Sequence, residues 1–190
     1  IDVFPTDVVF LCVVDPGVGG SRVPAVVEAD GRRFVGPDNG LFEILLRRAN
    51  NTSFRRIIWE PENLSASFHG RDLFAPVAAH LAKGEEVQSE SRPVDEARRP
   101  HWPDELEEII YLDNFGNAMT GVRAKNIPID AEMVVNDKRL VRARTFSDLP
   151  QGVAFWYENS SGLVEFAVNQ GDAKTALGID VGSRFSIDSP

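Results

Sequence analysis

One cysteine, Cys12, is all the thiol this sequence carries, so no disulfide can close within the chain and no cysteine-built zinc site is available. Histidine is scarce too: there are three, and no two stand at the helical spacing of a metal-binding pair. We therefore expect no metal. No run of about 18 apolar residues occurs, which excludes a membrane-spanning helix from this stretch. No basic segment followed by a short apolar one opens the sequence, so no secretory signal is expected in it. Positive charge is in deficit, with 20 Lys and Arg against 29 Asp and Glu and a formal charge of −9. Phosphate backbones demand clustered Lys and Arg, and no such cluster exists, so a nucleic-acid partner is not expected. The thiol usage fits a reducing cytoplasm.

What is present is an ordinary globular composition, 43% hydrophobic and 26% charged over 190 residues, enough for one large domain or two small ones. Residues 8–14 form a continuous apolar, β-branched run that holds Cys12. The run predicts a strand buried on both faces, as in a parallel α/β sheet. Asp30-Gly31 between two short apolar segments predicts a hairpin. Residues 41–48 read as a helix capped by Asp38 or Asn39. Residues 54–59 read as a strand. Residues 72–83 carry apolar groups at helical spacing, with Asp72 as the natural cap and Gly84 as the stop.

From 85 to 104, charged residues alternate with Pro93, Pro100 and Pro103, which predicts an exposed linker. Beyond it the period changes. Six short segments, 109–113, 118–123, 132–135, 139–144, 152–157 and 163–168, alternate with turn signals and predict a small barrel or sandwich. The expected layout is an α/β domain over 1–100 followed by an all-β, barrel-like domain over 104–190. The first domain is short for a mostly parallel, Rossmann-like sheet. Ile1-Asp2-Val3-Phe4-Pro5 also reads as the close of an earlier element, so a first segment is expected to be missing.

Four stretches carry candidate chemistry. Asp15-Pro16-Gly17-Val18-Gly19-Gly20-Ser21-Arg22 follows the first strand, where ligands gather in open α/β sheets, and its glycines permit close backbone approach. It lacks the Lys-Ser/Thr of a P-loop, and Arg22 stands where a dinucleotide fingerprint needs glycine. Phe68-His69-Gly70-Arg71-Asp72 opens a helix and holds the one histidine set in a polar loop. His80, inside a helix, and His101, in the expected linker, read as packed or solvated. Asp113-Asn114-Phe115-Gly116-Asn117 offers an acid and two amides suited to an amine or a purine edge, though alone it is equally an Asx turn. Glu158-Asn159-Ser160-Ser161-Gly162, alone, is a hairpin turn.

Taken in order, VVDPGVGGSR, GPDNGLF, FHGRDLFAPVAAHLA, DNFGNAMT and ENSSGLVEFAVN resemble the S-adenosyl-L-methionine (SAM) hydroxide adenosyltransferase family, relatives of the fluorinase and chlorinase enzymes. The resemblance covers nearly the whole chain. It implies an N-terminal α/β domain joined to a C-terminal barrel-like domain, and a homotrimer whose active sites lie between subunits, which would set Asp15 and Asp113 of one site on different chains. It implies attack of water or hydroxide on the ribose C5′ of SAM, giving adenosine and L-methionine, with SAM as substrate and no cofactor.

The family's Asp-Arg-His triad falls on Asp15, Arg22 and His69. Asp113 matches the acid that takes the methionine ammonium, and Asn117 the amide that reads adenine. Phe146 matches an aromatic packed on adenine, Ser160 and Ser161 residues near the methionine carboxylate, and Val168 and Gln170 positions whose backbone reads the adenine edge. Ser161 departs from the arginine of the halogenating relatives. Those relatives also lack the triad, so a halogenase is a lesser alternative here. A non-catalytic module that binds SAM or adenosine is the other.

Overall fold

The computed structural model describes residues 4–188, so the first three residues of the segment read as closing an earlier element lie outside the described residues. The chain divides into two compact units, Ile1–Trp102 and Pro103–Pro190, each described by itself below.

The first unit is a mixed α/β layer structure. Strand β1 (Val9–Leu11) is followed by β2 (Val23–Ala29), β3 (Arg32–Asp38), helix α1 (Glu43–Arg48), β4 (Thr52–Ile57), helix α2 (Ala75–Ala82) and β5 (Ser89–Arg92). The strands lie in the order β1-β3-β2-β4-β5. Asp30 and Gly31 both adopt positive φ, 47° and 84°, the two-residue turn whose twist matches a hairpin, and Ala29 pairs with Arg32 across it.

Because alternate residues of a strand face opposite ways, β2 serves two cores. Val26 joins Val35, Phe74, Val77 and Leu81 beneath α2. Ala25, Val27 and Ala29 join Phe34, Phe42, Leu46 and Phe54 beneath α1. Side chains of the size of Phe74 and Leu81, fully buried here, each contribute about 2–3 kcal/mol by leaving water.

Four sequence expectations for this unit are corrected. The sheet is not mostly parallel: β1 and β3 run parallel, while β2–β3, β2–β4 and β4–β5 are antiparallel. The two-residue hairpin at Asp30-Gly31 leaves β2 and β3 no length for the crossover that parallel neighbours require. The run 8–14 is not a strand buried on both faces. Only Val9–Leu11 is strand, it lies at the sheet edge, and Leu11, Val13 and Val14 are exposed.

Nor is 85–104 a loose linker. Ser89–Arg92 pairs with β4, and a 3₁₀ turn follows over Val94–Ala97. The fully buried carboxylate of Glu43 accepts from the Arg99 amide at 2.5 Å, from Arg47 Nη2 at 2.7 Å and from Arg98 Nε at 3.2 Å, tying this segment to α1. The expected helix caps also differ. Asp38 pairs with Arg99, and α1 starts after Phe42 with no side-chain cap.

The second unit is built of short strands: β6 (Leu106–Leu112), β7 (Ala118–Arg123), β8 (Glu132–Val135), β9 (Lys138–Leu140), β10 (Ala154–Glu158), β11 (Leu163–Val168) and β12 (Ser186–Asp188). A further helix, α3 (Ala173–Leu177), is capped by Asp172 and stopped by Gly178 in the left-handed conformation. Asn136 and Asp137, both at positive φ, turn β8 into β9.

The strands form two sheets, β10-β11-β7-β6 and β12-β8-β9, around one core of Ile109, Met133, Leu140, Trp156, Phe166 and their neighbours. Single bridges, Arg142–Trp156 and Glu108–Arg184, link the sheets. The barrel is therefore not closed, since continuous ladders are missing at both seams. The other face of the four-stranded sheet carries a smaller cluster of Ala143, Phe155 and Ala167 with Phe146, Leu149 and Tyr157.

Among the described residues, no helix is long and apolar enough to cross a membrane, and no group of three or more His, Cys, Asp or Glu is arranged to hold a metal ion.

Candidate active site

Asp15, Arg22 and His69 meet in the first unit. Arg22 Nε donates to both Asp15 oxygens, at 3.2 Å to Oδ1 and 3.1 Å to Oδ2, and Nη2 donates to Oδ2 at 2.7 Å. The same Nη2 lies 2.6 Å from His69 Nδ1. The side chains of Arg22 and Asp15 are only 9% and 6% exposed, so this pair is shielded from the solvent screening that weakens surface ion pairs. The Arg22 guanidinium also lies over the Phe74 ring, 5.2 Å from its centroid.

Local sequence explains the meeting. Asp15 follows β1, and Arg22 immediately precedes β2, so the glycine-rich segment is the loop that folds one back on the other. Gly19 adopts φ +75°, and a Cβ there would stand 2.5 Å from the Ala66 carbonyl oxygen. Only glycine lets this loop touch the segment that carries His69. Gly70 allows a second approach, since a Cβ there would meet the Val13 side chain at 2.8 Å. The Asn39 side chain, which sequence reasoning noticed only as a possible cap, donates to the Val14 carbonyl at 2.8 Å and so holds the residue before Asp15.

His69 opens a π-turn over Gly70–Phe74 that runs straight into α2. Within an α-helix, residues five apart point about 140° away from each other, since each step turns about 100°. A π-turn closes its hydrogen bonds one residue later, here Ala75 N–H to Gly70 O, and stacks residues five apart. His69 and Phe74 accordingly both reach Arg22. Asp72 does not cap α2 as expected. It pairs with Arg71, which holds its carboxyl below the usual range, and accepts from the Ser65 amide at 3.1 Å. His80 pairs with Glu85 and lies edge-on to Trp59, while His101 packs against Trp102, so neither joins the triad.

The other candidates lie in the second unit. Asp113 ends β6. Its Oδ1 accepts from the amides of Phe115 and Asn117 at 2.9 and 2.8 Å, and its Oδ2 from Asn117 Nδ2 at 3.0 Å. Asp113 and Asn117 thus form one Asx-turn unit with no cation in it. Phe146 stacks edge-on against Phe155 and tilts against Tyr157. Ser160 and Ser161 occupy the exposed β10–β11 turn, where Asn159 Oδ1 accepts from the Ser161 amide at 2.9 Å. Val168 is buried at the end of β11, and Gln170 follows it at φ +55°.

Sequence reasoning missed Tyr157 and Glu165. Tyr157 donates to Glu165 Oε1 at 2.5 Å, and its phenol pKa is raised by burial, by that bond and by the charges of Glu165 and Asp113. The signal that could have found them was the alternation of β10 and β11, which sets both residues on the face opposite the main core.

Residues 1–90 match the SAM hydroxide adenosyltransferase N-terminal domain, and residues 107–186 match the C-terminal domain. The chain belongs to the SAM hydroxide adenosyltransferase family. Among its relatives in this family is a Thermus thermophilus protein named (R)-S-adenosyl-L-methionine hydrolase, 40% identical over 94% of this chain and 74% of its own length. A Salinispora tropica protein of the same name is 34% identical over the same shares.

Solved structures agree. An uncharacterized conserved protein from Thermotoga maritima superposes with a TM-score of 0.78 at 32% identity, covering 97% of this chain and 78% of its own. A conserved hypothetical protein from Thermus thermophilus gives 0.75 at 35% identity, covering 98% and 77%. Within this chain, the three triad residues all fall in the N-terminal match and the remaining candidates in the C-terminal one.

Proposed function

We propose that this protein hydrolyses SAM: a water activated at the Asp15–Arg22–His69 cluster attacks the ribose C5′, the C5′–S bond breaks, and adenosine and L-methionine leave. The observation that carries this reading is the single guanidinium of Arg22 joining Asp15 to His69. The names of the relatives at 40% and 34% identity support it.

The chemistry suits the groups. A sulfonium departs as a neutral thioether, so no acid is needed for the leaving group. The demand is a positioned water with a proton acceptor beside it. Arg22 has only donors to offer, so His69 Nδ1 is the acceptor of their contact and a neutral imidazole carries its proton on Nε2. That leaves the Asp15 carboxylate to take the proton from water. Its Oδ1 is the freer oxygen, with one 3.2 Å bond against two at 3.1 and 2.7 Å on Oδ2. His69 Nε2–H then serves as donor to the water oxygen, and the Arg22 charge stabilises the incipient hydroxide.

In this reading Asp113 takes the methionine ammonium, Asn117, Phe146 and the backbone at Val168 and Gln170 hold adenine, and Ser160 and Ser161 take the methionine carboxylate. A homotrimer would complete each site from the second unit of a neighbouring chain. SAM is the substrate, and no separate cofactor takes part. A carboxylate at position 15 repels a halide, which disfavours the halogenating alternative.

The test is chromatography of SAM incubated with the purified protein, in buffers with and without chloride or fluoride. Adenosine and methionine in equal amounts are expected in both. Intact SAM that calorimetry shows to be bound would establish a binding module instead, and a 5′-halo-adenosine would establish a halogenase.

A further inference from the structure

In β11, Glu165 is a buried carboxylate, 6% exposed, that the proposed chemistry does not use. It faces Tyr157 across the β10–β11 ladder. Its two oxygens accept from neutral donors, Oε1 from the Tyr157 hydroxyl at 2.5 Å and Oε2 from Asn159 Nδ2 at 2.6 Å. Burying a carboxylate away from any cation is costly, so such a group persists where its hydrogen bonds hold something in place.

What it holds is Asn159. The other end of that amide, Oδ1, accepts from the backbone of Ser161 at 2.9 Å and of Leu163 at 3.0 Å. The Asn159 backbone in turn donates to the Leu163 carbonyl and accepts from the Gly162 amide, both at 2.9 Å. Every polar atom of Asn159 is therefore engaged, and its side chain is a strut between Glu165 and the turn bearing Ser160 and Ser161.

We propose that Glu165 is a positioning residue: through Asn159 it fixes the Ser160–Ser161 turn in the shape that receives the methionine carboxylate. The proposal rests on the reading that this turn takes that carboxylate. Glu165 does not touch substrate. Its role is to remove the freedom of an exposed turn, so that the turn's donors are oriented before the ligand arrives.

The role is a hydrogen-bonding one, and two substitutions separate it from a charge effect. Glu165→Gln keeps an acceptor for Asn159 and offers an N–H to the Tyr157 oxygen, so the strut survives without the charge. Glu165→Leu removes it. The KM for SAM is expected to rise about tenfold in Glu165→Leu with kcat changed less than about threefold, the mark of lost ground-state binding, while Glu165→Gln stays near wild type.

Asn159→Ala cuts the strut at a half-exposed position and is expected to copy the leucine variant, which keeps the test alive should Glu165→Leu not fold. Calorimetry with L-methionine and with adenosine reads the same point without turnover. Methionine binding is expected to weaken about tenfold in the cut variants and adenosine binding to stay unchanged.

An unchanged methionine affinity in both cut variants overturns the proposal. So does a glutamine variant as impaired as the leucine one, which would make charge the active quantity. Wild-type protein that binds methionine but releases no adenosine refutes hydrolysis alone, and the calorimetric comparison still decides the role of Glu165.

Discussion

Replacing Arg22 with lysine separates charge from shape at the centre of the proposed chemistry. The guanidinium makes three contacts to Asp15, between 2.7 and 3.2 Å, and a fourth to His69 at 2.6 Å. It also lies over Phe74. Lysine keeps the positive charge but presents one compact ammonium on a flexible stem and cannot span a fork. It can remain with Asp15, so the buried carboxylate is not stranded and the larger loss of about 3–5 kcal/mol from breaking a buried pair is avoided.

What disappears is the bond to His69 and the stacking on Phe74. A hydrogen bond to a charged group contributes about 1.5–3 kcal/mol, and an exposed-to-buried cation–π contact about 0.5–2 kcal/mol. With the imidazole no longer anchored at Nδ1, the loss falls mainly on the barrier, where 1.36 kcal/mol is tenfold. We therefore expect Arg22→Lys to lower kcat for adenosine release by about 10–10² and to leave KM within about threefold. The thermal midpoint should fall by a few degrees, since about 1 kcal/mol shifts a domain of this size by about 2–4 °C. The assay is chromatographic, beside a thermal melt of the same preparation. A folded lysine variant with wild-type kcat would refute the reasoning, because charge alone would then suffice.

Asp15→Asn should reduce kcat by about 10²–10⁴ with the fold retained, the range for loss of a general base, as read by adenosine release. Gly19→Ala should impair kcat through displacement of His69, because the new Cβ must push away the Ala66 carbonyl 2.5 Å distant; the check is activity beside near-UV circular dichroism. Glu43→Ala should cost about 3 kcal/mol in urea unfolding by leaving the half-buried Arg98 and the Arg99 amide without their acceptor. Tyr157 has a raised pKa, so the folded state retains its proton where the unfolded chain has lost it. Its contribution is intact below about pH 10, the ordinary tyrosine value, and declines above it. The urea midpoint of wild type should therefore fall more steeply above that pH than the midpoint of Tyr157→Phe.

The parts of the fold that were legible in the sequence are those set by local chemistry. Asp30-Gly31 specifies its hairpin through positive φ at both residues, and the apolar spacing of 73–81 specifies the face of α2 that meets the sheet. Strands β7, β8 and β11 follow from short segments set at regular spacing between turn signals. Choices made at long range escaped. The apolar run 8–14 could not announce that it would lie at a sheet edge, because edge and centre differ only in what packs alongside. The charges of 85–104 suggested solvent, yet Glu43, from a distant helix, recruits Arg98 and the Arg99 backbone. Residue type and motif alone left Asp15, Arg22 and His69 open between a structural and a functional role; the family resemblance grouped them, and the structure brings them together. Glu165 escaped because a glutamate in an alternating strand normally signals the wet face.

The wide turn at Gly70–Phe74 makes the number of residues between His69 and Phe74 part of the chemistry. Were the same residues to relax to an ordinary helix, imidazole and benzene ring would stand about 140° apart around the cylinder, whereas removing one residue would leave them about 40° apart and still on one side. A one-codon deletion in this stretch would thus be absorbed by a regular helix with both rings kept on the Arg22 side, whereas an insertion relaxed to a regular helix would set them about 120° apart. Insertions along this lineage should accordingly avoid Gly70–Phe74, although Arg71 and Asp72 within it do no catalysis.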